Sequence, residues 1–234
     1  MQLKAILFDL DDTLLVTNME QFIPKYLNAL GNKLKVLMEP RKLVALVLES
    51  TQAMIENQNP DLLNAEVFYN HFYSKVTFSK VDFKALVEEF YEVDFPKLKI
   101  HTDTIPLIPE FISDISAHNY KLVIATNPLF PAKAIEHRIA WAGLSGVNFD
   151  LVTTYENSHF CKPSPRYYLE ILDKLNISPG EAMMVGDDFK NDILPAESIG
   201  MKSFLINEES LNRPSGTIHQ FFYWFRKQNW LLDF

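Results

Sequence analysis

The pattern of apolar and polar positions divides the chain into two kinds of segment. Short uninterrupted apolar runs, which are typical of buried parallel strands, occur at residues 5–8, 122–125, 151–153, 183–185 and 203–206. Segments with helical spacing alternate with the later runs, at residues 108–117, 132–141, 166–175 and 192–199. This alternation predicts an α/β fold built on a doubly wound parallel sheet.

Residues 16–95 interrupt that alternation. They contain no strand-like run, and their apolar residues recur every three or four positions, which is typical of amphipathic helices. The first such series is Phe22, Tyr26, Leu30 and Leu34. We therefore predict an insert of roughly four helices. The first of them is expected to begin with a capping box formed by Thr17 and Glu20.

These patterns predict three parts of the chain. The sheet domain takes residues 1–15 and 96–210, the helical insert takes residues 16–95, and an aromatic extension at residues 211–234 packs on the sheet domain. An alternative role for the extension is a dimer or partner surface. Because the insert directly follows the first strand, we expect it to lie over that strand end, where it excludes water and selects substrates.

Composition and charge narrow the classes of function. The chain has 234 residues, of which 47% are hydrophobic, as in an ordinary globular protein. Its formal net charge of -8 argues against nucleic-acid and anionic-membrane partners and favours a small molecule. The only cysteine, Cys161, excludes an intrachain disulfide and a four-cysteine zinc site. Because the sequence shows no signal-peptide pattern and no apolar stretch of about 20 residues, we expect a cytoplasmic protein that spans no membrane.

Carboxylates are concentrated where the first apolar run ends, in the sequence Asp9-Leu10-Asp11-Asp12-Thr13. Ionised carboxylates this close repel one another unless a cation or a proton neutralises them. Mg²⁺ prefers oxygen ligands and often keeps a substrate phosphate in its coordination shell. This strand end therefore predicts a magnesium site suited to phosphoryl chemistry.

Three later stretches carry further candidate residues. Thr126 and Asn127 follow the second run, Lys162 follows the third, and Asp187 closes the fourth. In a doubly wound sheet, ligands bind at the carboxyl ends of the strands, near the point where the strand order reverses. We therefore expect these side chains to gather around the acidic end of the first strand.

Together these stretches resemble the haloacid dehalogenase-like (HAD) phosphohydrolase superfamily. The resemblance is carried by a strand ending Asp-x-Asp-x-Thr, a later strand ending in Thr, a Lys-Pro pair and a Gly-Asp-Asp-x-x-x-Asp, in that order. It spans residues 4 to 206. It implies a Rossmann-like core, an all-helical cap inserted after the first motif, a bound Mg²⁺ and a phospho-aspartyl intermediate.

The resemblance also implies roles for individual residues. Asp9 is the expected nucleophile and a metal ligand. Asp11 is the expected general acid and base, and its backbone carbonyl is expected to ligate the metal. Thr126 and the amides near Asn127 are expected to bind the phosphoryl oxygens. Lys162 is expected to neutralise both Asp9 and the transferring group.

The last motif supplies the remaining candidates. Asp187 resembles the direct metal ligand. Asp188 and Asp192 are expected either to ligate the metal or to orient a metal-bound water or Lys162, with helix capping as an alternative for Asp192. Asp11 favours phosphate transfer over carbon-halogen cleavage, because a leaving alkoxide needs a proton and a leaving halide does not.

We therefore predict a magnesium-dependent phosphatase that acts on a small phosphorylated metabolite. Two alternatives remain at this stage. One is a phosphomutase on the same site, and the other is a non-catalytic module that binds a phosphorylated ligand. The expected specificity residues lie early in the insert and are Asn18, Glu20, Phe22 and Tyr26.

Overall fold

A computed structural model describes residues 2–206 and 213–229. Its strands are β1 (Ala5–Phe8), β2 (Leu15–Val16), β3 (Asp103–Thr104), β4 (Lys121–Ile124), β5 (Leu151–Val152), β6 (Ala182–Gly186), β7 (Lys202–Ile206) and β8 (Ser215–Gly216). Six of them form one sheet in the order β5-β4-β1-β6-β7-β8, and all its pairings are parallel. All four residues of the central strand β1 are buried, as expected where both faces of a parallel sheet are covered.

The helices are α1 (Met19–Lys33), α2 (Pro40–Glu56), α3 (Asn64–Tyr73), α4 (Lys80–Glu89), α5 (Ile108–Ser116), α6 (Ala132–Trp141), α7 (Pro165–Leu175), α8 (Leu194–Ser198) and α9 (Ile218–Asn229). Helices α1 to α4 form the insert, which we call the cap. The chain returns from the cap through a π-helical turn at Phe90–Asp94 and a 3₁₀ helix at Phe95–His101. The predicted α/β fold, a Rossmann-like parallel sheet with an inserted helical cap, is confirmed.

The sheet topology determines where a ligand binds. From β1 the chain passes to β4 and β5 on one side, and then crosses to β6, β7 and β8 on the other. The strand order therefore reverses between β1 and β6, and crevices at such points bind ligands in doubly wound folds. Asp9 directly follows β1 and Asp187 directly follows β6, so both acidic residues lie at this crevice.

A short ribbon joins the cap to the sheet. Strand β2 pairs antiparallel with β3, so the chain leaves and re-enters the sheet domain side by side. The expectation that residues 16–95 contain no strand is wrong at their first position, because β2 includes Val16. Two residues are too few for a periodic pattern to reveal a strand.

The predicted capping box at the start of α1 is also wrong. The N-cap is Asn18, whose side-chain oxygen accepts a hydrogen bond from the backbone N of Gln21 at 3.1 Å. Thr17 instead directs its backbone N–H to Asp12 Oδ1, at 2.8 Å. The carboxylate of Asp12, in the acidic segment after β1, therefore fixes the backbone of Thr17 just before α1 begins.

Helix α9 packs aromatic side chains on the sheet. Phe221 is fully buried, and its ring centroid lies 5.7 Å from that of Phe8 in β1 and 5.1 Å from that of Phe204 in β7. Residues 211–212 and 230–234 of the predicted extension, Trp230 among them, lie outside the described residues. Within the described ranges, no helix has the length and apolar character needed to cross a membrane.

Candidate active site

A cavity of about 770 Å³ opens at the carboxyl ends of β1, β4 and β6, and we call it the acidic cavity. All of the predicted site residues line it, namely Asp9, Asp11, Thr126, Asn127, Lys162, Asp187, Asp188 and Asp192. The cap contributes Asn18 and Glu20 to the same walls. Phe22, another expected specificity residue, is fully buried against the rings of Phe95 and Trp141 and does not line it.

Asp9 is held rigidly at the end of β1. Its backbone N donates a hydrogen bond to Val185 O in β6 at 2.9 Å, which continues the parallel pairing by one residue. The side chain is almost fully buried, and its Oδ1 accepts a hydrogen bond from Lys162 Nζ at 2.7 Å. Burial raises the pKa of Asp9, and Asp187 adds to that effect, whereas Lys162 opposes it.

Lys162 connects the two sides of the acidic cavity. Its Nζ lies 2.7 Å from Asp9 Oδ1 and 2.6 Å from Asp192 Oδ1, and only 3% of the residue is exposed. Burial lowers the pKa of Lys162, but the two carboxylates outweigh burial and leave it well above its ordinary value. The ammonium group therefore remains charged at neutral pH. Asn127 Oδ1 fixes the same residue by accepting a hydrogen bond from its backbone N at 3.2 Å.

Asp192 is buried behind Lys162, where β6 leaves space for it. Its Oδ2 accepts a hydrogen bond from the backbone N of Asp188 at 3.1 Å. A Cβ atom on Gly186 would lie only 2.3 Å from that Oδ2, so the last position of β6 has to be glycine for Asp192 to reach Lys162. Burial raises the pKa of Asp192 to about 6, against the lowering effect of Lys162.

Asp188, and not Asp192, caps the helical segment after β6. Its side chain accepts hydrogen bonds from the backbone N of Lys190 at 2.8 Å and of Asn191 at 3.0 Å. The helix predicted over residues 192–199 therefore begins earlier, with a π-helical turn at Phe189–Ile193 before α8. Capping by Asp192, the alternative considered from the sequence, is wrong.

Three carboxylates form a cluster suited to a divalent cation. Asp9, Asp187 and Asp192 each offer an oxygen within 4.8 Å of the other two. Burial and the nearby carboxylates of Asp192 and Asp12 raise the pKa of Asp187 to about 6. Lys162 contacts Asp9 and Asp192 and brings one positive charge to a cluster of three carboxylates. An oxygen-only donor set with excess negative charge fits Mg²⁺.

Thr126 lies opposite this cluster at the end of β4. The residue is 3% exposed, and its backbone oxygen accepts hydrogen bonds from the hydroxyls of Thr153 at 2.7 Å and Tyr167 at 2.9 Å. These bonds fix the peptide between Thr126 and Asn127. The geometry brings the expected phosphate-binding residues to the same cavity as Asp9.

Arg138 is a site residue that sequence reasoning missed. It lies on α6, is 1% exposed and lines the acidic cavity, where its guanidinium pairs with Asp11 Oδ2. The guanidinium carbon also lies 5.1 Å from the ring centroid of Phe130. Burial lowers the pKa of Arg138 to about 10, so it stays positively charged at neutral pH. Arg138 therefore holds the side chain of Asp11 in a defined position beside Asp9.

One signal in the sequence could have revealed Arg138. The buried face of α6 contains Ala134, Ile135 and Ile139, and position 138 falls on that same face. Charged residues are almost never fully buried without a partner. An arginine on the apolar face of a helix next to a catalytic strand end therefore indicates a paired or ligand-binding group.

Comparison with known proteins identifies the family. A family model described as haloacid dehalogenase-like hydrolase matches residues 3–200. The chain belongs to the haloacid dehalogenase-like hydrolases. This match confirms the family inferred from the motifs and the expectation that the chain is an enzyme of this hydrolase class.

Curated relatives of this haloacid dehalogenase-like hydrolase include phosphatases. Pyrophosphatase PpaX from Bacillus cereus (strain B4264) is 26% identical over 211 residues, which cover 88% of this chain and 84% of that protein. A phospholysine phosphohistidine inorganic pyrophosphate phosphatase from Xenopus laevis is 40% identical over 58 residues. That second match covers only 25% of this chain and 21% of the relative.

Solved structures show the same fold as this haloacid dehalogenase-like hydrolase. A 2-haloacid dehalogenase from Pseudomonas syringae pv. Tomato DC3000 superposes with a TM-score of 0.64 at 21% identity, covering 97% of this chain and 99% of that one. An HAD phosphatase from Thermococcus onnurineus superposes with a TM-score of 0.57 at 24% identity, covering 96% and 97%. At these identities the likeness establishes the fold alone.

Proposed function

We propose that this protein is a magnesium-dependent phosphatase that hydrolyses a small phosphorylated metabolite through a phospho-aspartyl intermediate on Asp9. The observation that carries the proposal is the buried contact of Asp9 with Lys162, next to the acidic cluster completed by Asp187 and Asp192. A carboxylate beside a fixed cation at the open end of a strand suits nucleophilic attack on a phosphate ester. The 26% identity to a protein named as a pyrophosphatase supports phosphate chemistry.

In this proposal the chain's own residues divide the reaction into two steps. A carboxylate oxygen of Asp9 attacks phosphorus, the bond from phosphorus to the leaving oxygen breaks, and Asp11 donates a proton to that oxygen. Water then attacks phosphorus, Asp11 accepts a proton from that water, the bond from phosphorus to Asp9 breaks, and inorganic phosphate leaves. Thr126 and the backbone near Asn127 bind the phosphoryl oxygens, and Lys162 offsets their charge.

Asp9, Asp187 and the backbone carbonyl of Asp11 are the proposed ligands of Mg²⁺. The bound ion supplies positive charge to the phosphoryl oxygens. Both oxygens of Asp192 already accept hydrogen bonds, from Lys162 and from the backbone of Asp188. We therefore assign Asp192 the task of orienting Lys162, and Asp188 the task of shaping the loop after β6.

The proposal also assigns the parts of the chain. Residues 1–15 and 96–210 supply the catalytic core, and residues 16–95 supply the cap over it. The extension at residues 211–234 stabilises the core through contacts such as that of Phe221 with Phe8.

Turnover of a simple phosphate monoester by the Asp9→Asn variant tests the proposal. We expect at least a 100-fold loss, roughly the effect of losing a covalent nucleophile. Asp173→Asn, at an exposed position on α7, is the matched control and should keep full activity. Release of inorganic phosphate identifies a phosphatase, and a phosphoryl group that moves within the substrate identifies a phosphomutase. Binding of phosphate esters without any turnover would leave the non-catalytic module as the answer.

A further inference from the structure

A second cavity, of about 250 Å³, lies inside the cap and is apolar. We call it the cap cavity. Its walls come from all four cap helices, from Tyr91 in the π-helical turn, from the loop after β4 and from Tyr155. They include Leu30, Val47, Phe68, Phe83 and Val87. Among the described residues that line the cap cavity, none carries a charge.

The two cavities adjoin each other at one place. Leu129 and Phe130, in the loop that follows β4, line both the acidic cavity and the cap cavity. The same loop begins with Asn127, one of the proposed phosphate-binding positions. These two side chains form the wall that the cavities share, and a group attached to phosphorus beside Asp9 would enter the cap cavity by way of them.

Most side-chain hydroxyls that line the cap cavity belong to tyrosines, which are arranged in two pairs, and the hydroxyl of Thr51 donates a hydrogen bond to Val47 O at 2.9 Å. Tyr26 and Tyr91 are joined by a hydrogen bond of 2.8 Å, and Tyr69 and Tyr155 by one of 3.0 Å. In each pair one hydroxyl donates to the other, so the accepting hydroxyl keeps a proton of its own. Burial raises the pKa of all four hydroxyls, which therefore stay neutral.

These walls select a particular kind of group. A charged group in the cap cavity would lose its hydration and find no counterion there, which is costly. An apolar cavity of about 150 Å³ holds a benzene molecule, so this cavity has room for an alkyl or aryl group of roughly six to ten carbon atoms. The tyrosine protons can also meet one or two neutral oxygen acceptors.

We propose that the substrate is a phosphate monoester of an apolar, uncharged alcohol, whose organic part occupies the cap cavity while its phosphate lies beside Asp9. This inference rests on the proposed phosphatase function and adds the substrate class to it. It separates this chain from the relatives named as pyrophosphatases, because the second phosphate of pyrophosphate would be charged.

A series of straight-chain alkyl phosphates, from ethyl to decyl, tests the inference with the purified full chain and Mg²⁺. Their leaving alcohols have nearly equal acidity, so differences in kcat/KM between these substrates report how well the protein binds the alkyl group. We expect kcat/KM to rise by about two- to four-fold per added methylene until the cavity is filled. Pyrophosphate and a carboxyalkyl phosphate of matched length should be poorer substrates than octyl phosphate. A flat series, or a preference for the charged compounds, would overturn the inference.

A pair of variants on α4 tests whether the alkyl group binds in the cap cavity. Val87→Phe fills the cap cavity, whereas Val81→Phe adds the same ring at a position that is 76% exposed. We expect the ratio of kcat/KM for octyl phosphate to that for ethyl phosphate to fall at least ten-fold in Val87→Phe and to stay unchanged in Val81→Phe. Equal ratios in the two variants would place the organic group elsewhere and refute the assignment. If Val87→Phe fails to fold, the alkyl series on the natural chain still decides.

Failure of this inference is distinguishable from failure of the proposed function. If turnover of ethyl phosphate depends on Asp9 but kcat/KM does not depend on the length of the alkyl group, the proposed phosphatase function stands and the apolar substrate class is refuted. No turnover of any ester removes both.

Discussion

The acidic cavity and the cap cavity adjoin at two side chains, Leu129 and Phe130, yet they are built in opposite ways. The acidic cavity is lined largely by polar residues near strand ends, and its buried charges are fixed by direct contacts such as that of Lys162 with Asp9 and Asp192. The cap cavity is lined mainly by apolar side chains of the four cap helices, and the hydroxyls of its described lining residues already take part in hydrogen bonds.

This difference separates reaction chemistry from substrate selection. Removing one partner from a buried ion-pair network costs several kcal/mol of stability, so the charged residues of the acidic cavity tolerate few substitutions. Apolar walls can change by one or two methyl groups at about 1 kcal/mol each. We infer that the sheet domain determines what is done to the phosphate, and that the cap determines which ester is accepted.

The largest effect is expected from Lys162→Met, which leaves Asp9 and Asp192 buried without their shared cation. We expect a loss of kcat of about 10³-fold and a decrease of about 3–5 kcal/mol in the free energy of unfolding at pH 7.5. Activity assays and urea denaturation measure the two losses. Lys202→Met, at an exposed position on β7, serves as the control.

The destabilisation of Lys162→Met should also depend on pH. Without Lys162, the raised pKa values of Asp9 and Asp192 rise further. An acid whose pKa is higher in the folded state than in the unfolded state loses stability as pH rises through that folded-state value. The variant should therefore be closest to the natural chain near pH 4. An equal deficit at pH 4 and pH 7.5 would show that Lys162 does not offset these two carboxylates.

Arg138→Met should have the next largest effect, because Asp11 loses the group that positions it. We expect a decrease of about 100-fold in kcat/KM for an alkyl phosphate, whose leaving oxygen needs a proton, and a smaller decrease for p-nitrophenyl phosphate, whose leaving oxygen does not. Arg41→Met, at an exposed position on α2, controls for the substitution. Equal losses on both esters would contradict a link between Arg138 and the proton donor.

Magnesium binding should be visible as stabilisation that grows with pH. Burial and neighbouring acids raise the pKa of Asp187, a proposed metal ligand, to about 6, so protons compete with the metal below that pH. Saturating Mg²⁺ at about 100 times its Kd should stabilise the protein by about 2.7 kcal/mol at pH 7.5, which corresponds to roughly 5–10 °C in Tm. The shift should be clearly smaller at pH 5. A Tm shift that is the same at both pH values, or absent in the presence of excess Mg²⁺, would argue against metal binding at Asp187.

The smallest effect is expected in the cap cavity, from Tyr69→Phe. This variant removes the hydroxyl that pairs with Tyr155 and should lower the free energy of unfolding by about 1 kcal/mol. Urea denaturation measures the change, and Tyr223→Phe, at a position that is 62% exposed, should show none. If Tyr69→Phe lowered the free energy of unfolding as much as Lys162→Met is expected to, the proposed difference between the two cavities would be wrong.

The strand ends could be predicted from the sequence because their residues are local. Asp9 and Asp187 each directly follow a short buried run, and the parallel sheet brings all such ends to one edge. The alternation of strands and helices was sufficient to derive the α/β fold and the helical cap. The bounds of Ala132–Trp141 in α6 match the predicted segment.

Arg138 and the cap cavity escaped prediction because neither is local. Arg138 meets Asp11 only after α6 packs on the loop that follows β1, and a helical pattern does not show which partner a buried charge will find. The cap cavity depends on how four helices, each with an apolar face, pack against one another and against Phe130. Periodicity identifies the apolar faces but contains no information on the space left between them.

The central position of β1 has a consequence for how the chain folds during synthesis. This strand leaves the ribosome before β4 and β6, yet Ala5 pairs with Lys121 on one side and with Ala182 on the other. The cap helices, whose contacts are between near neighbours in sequence, can assemble while β1 still waits for both partners. The crevice between β1 and β6 therefore forms only after β6 has emerged, and the nascent chain stays inactive until then.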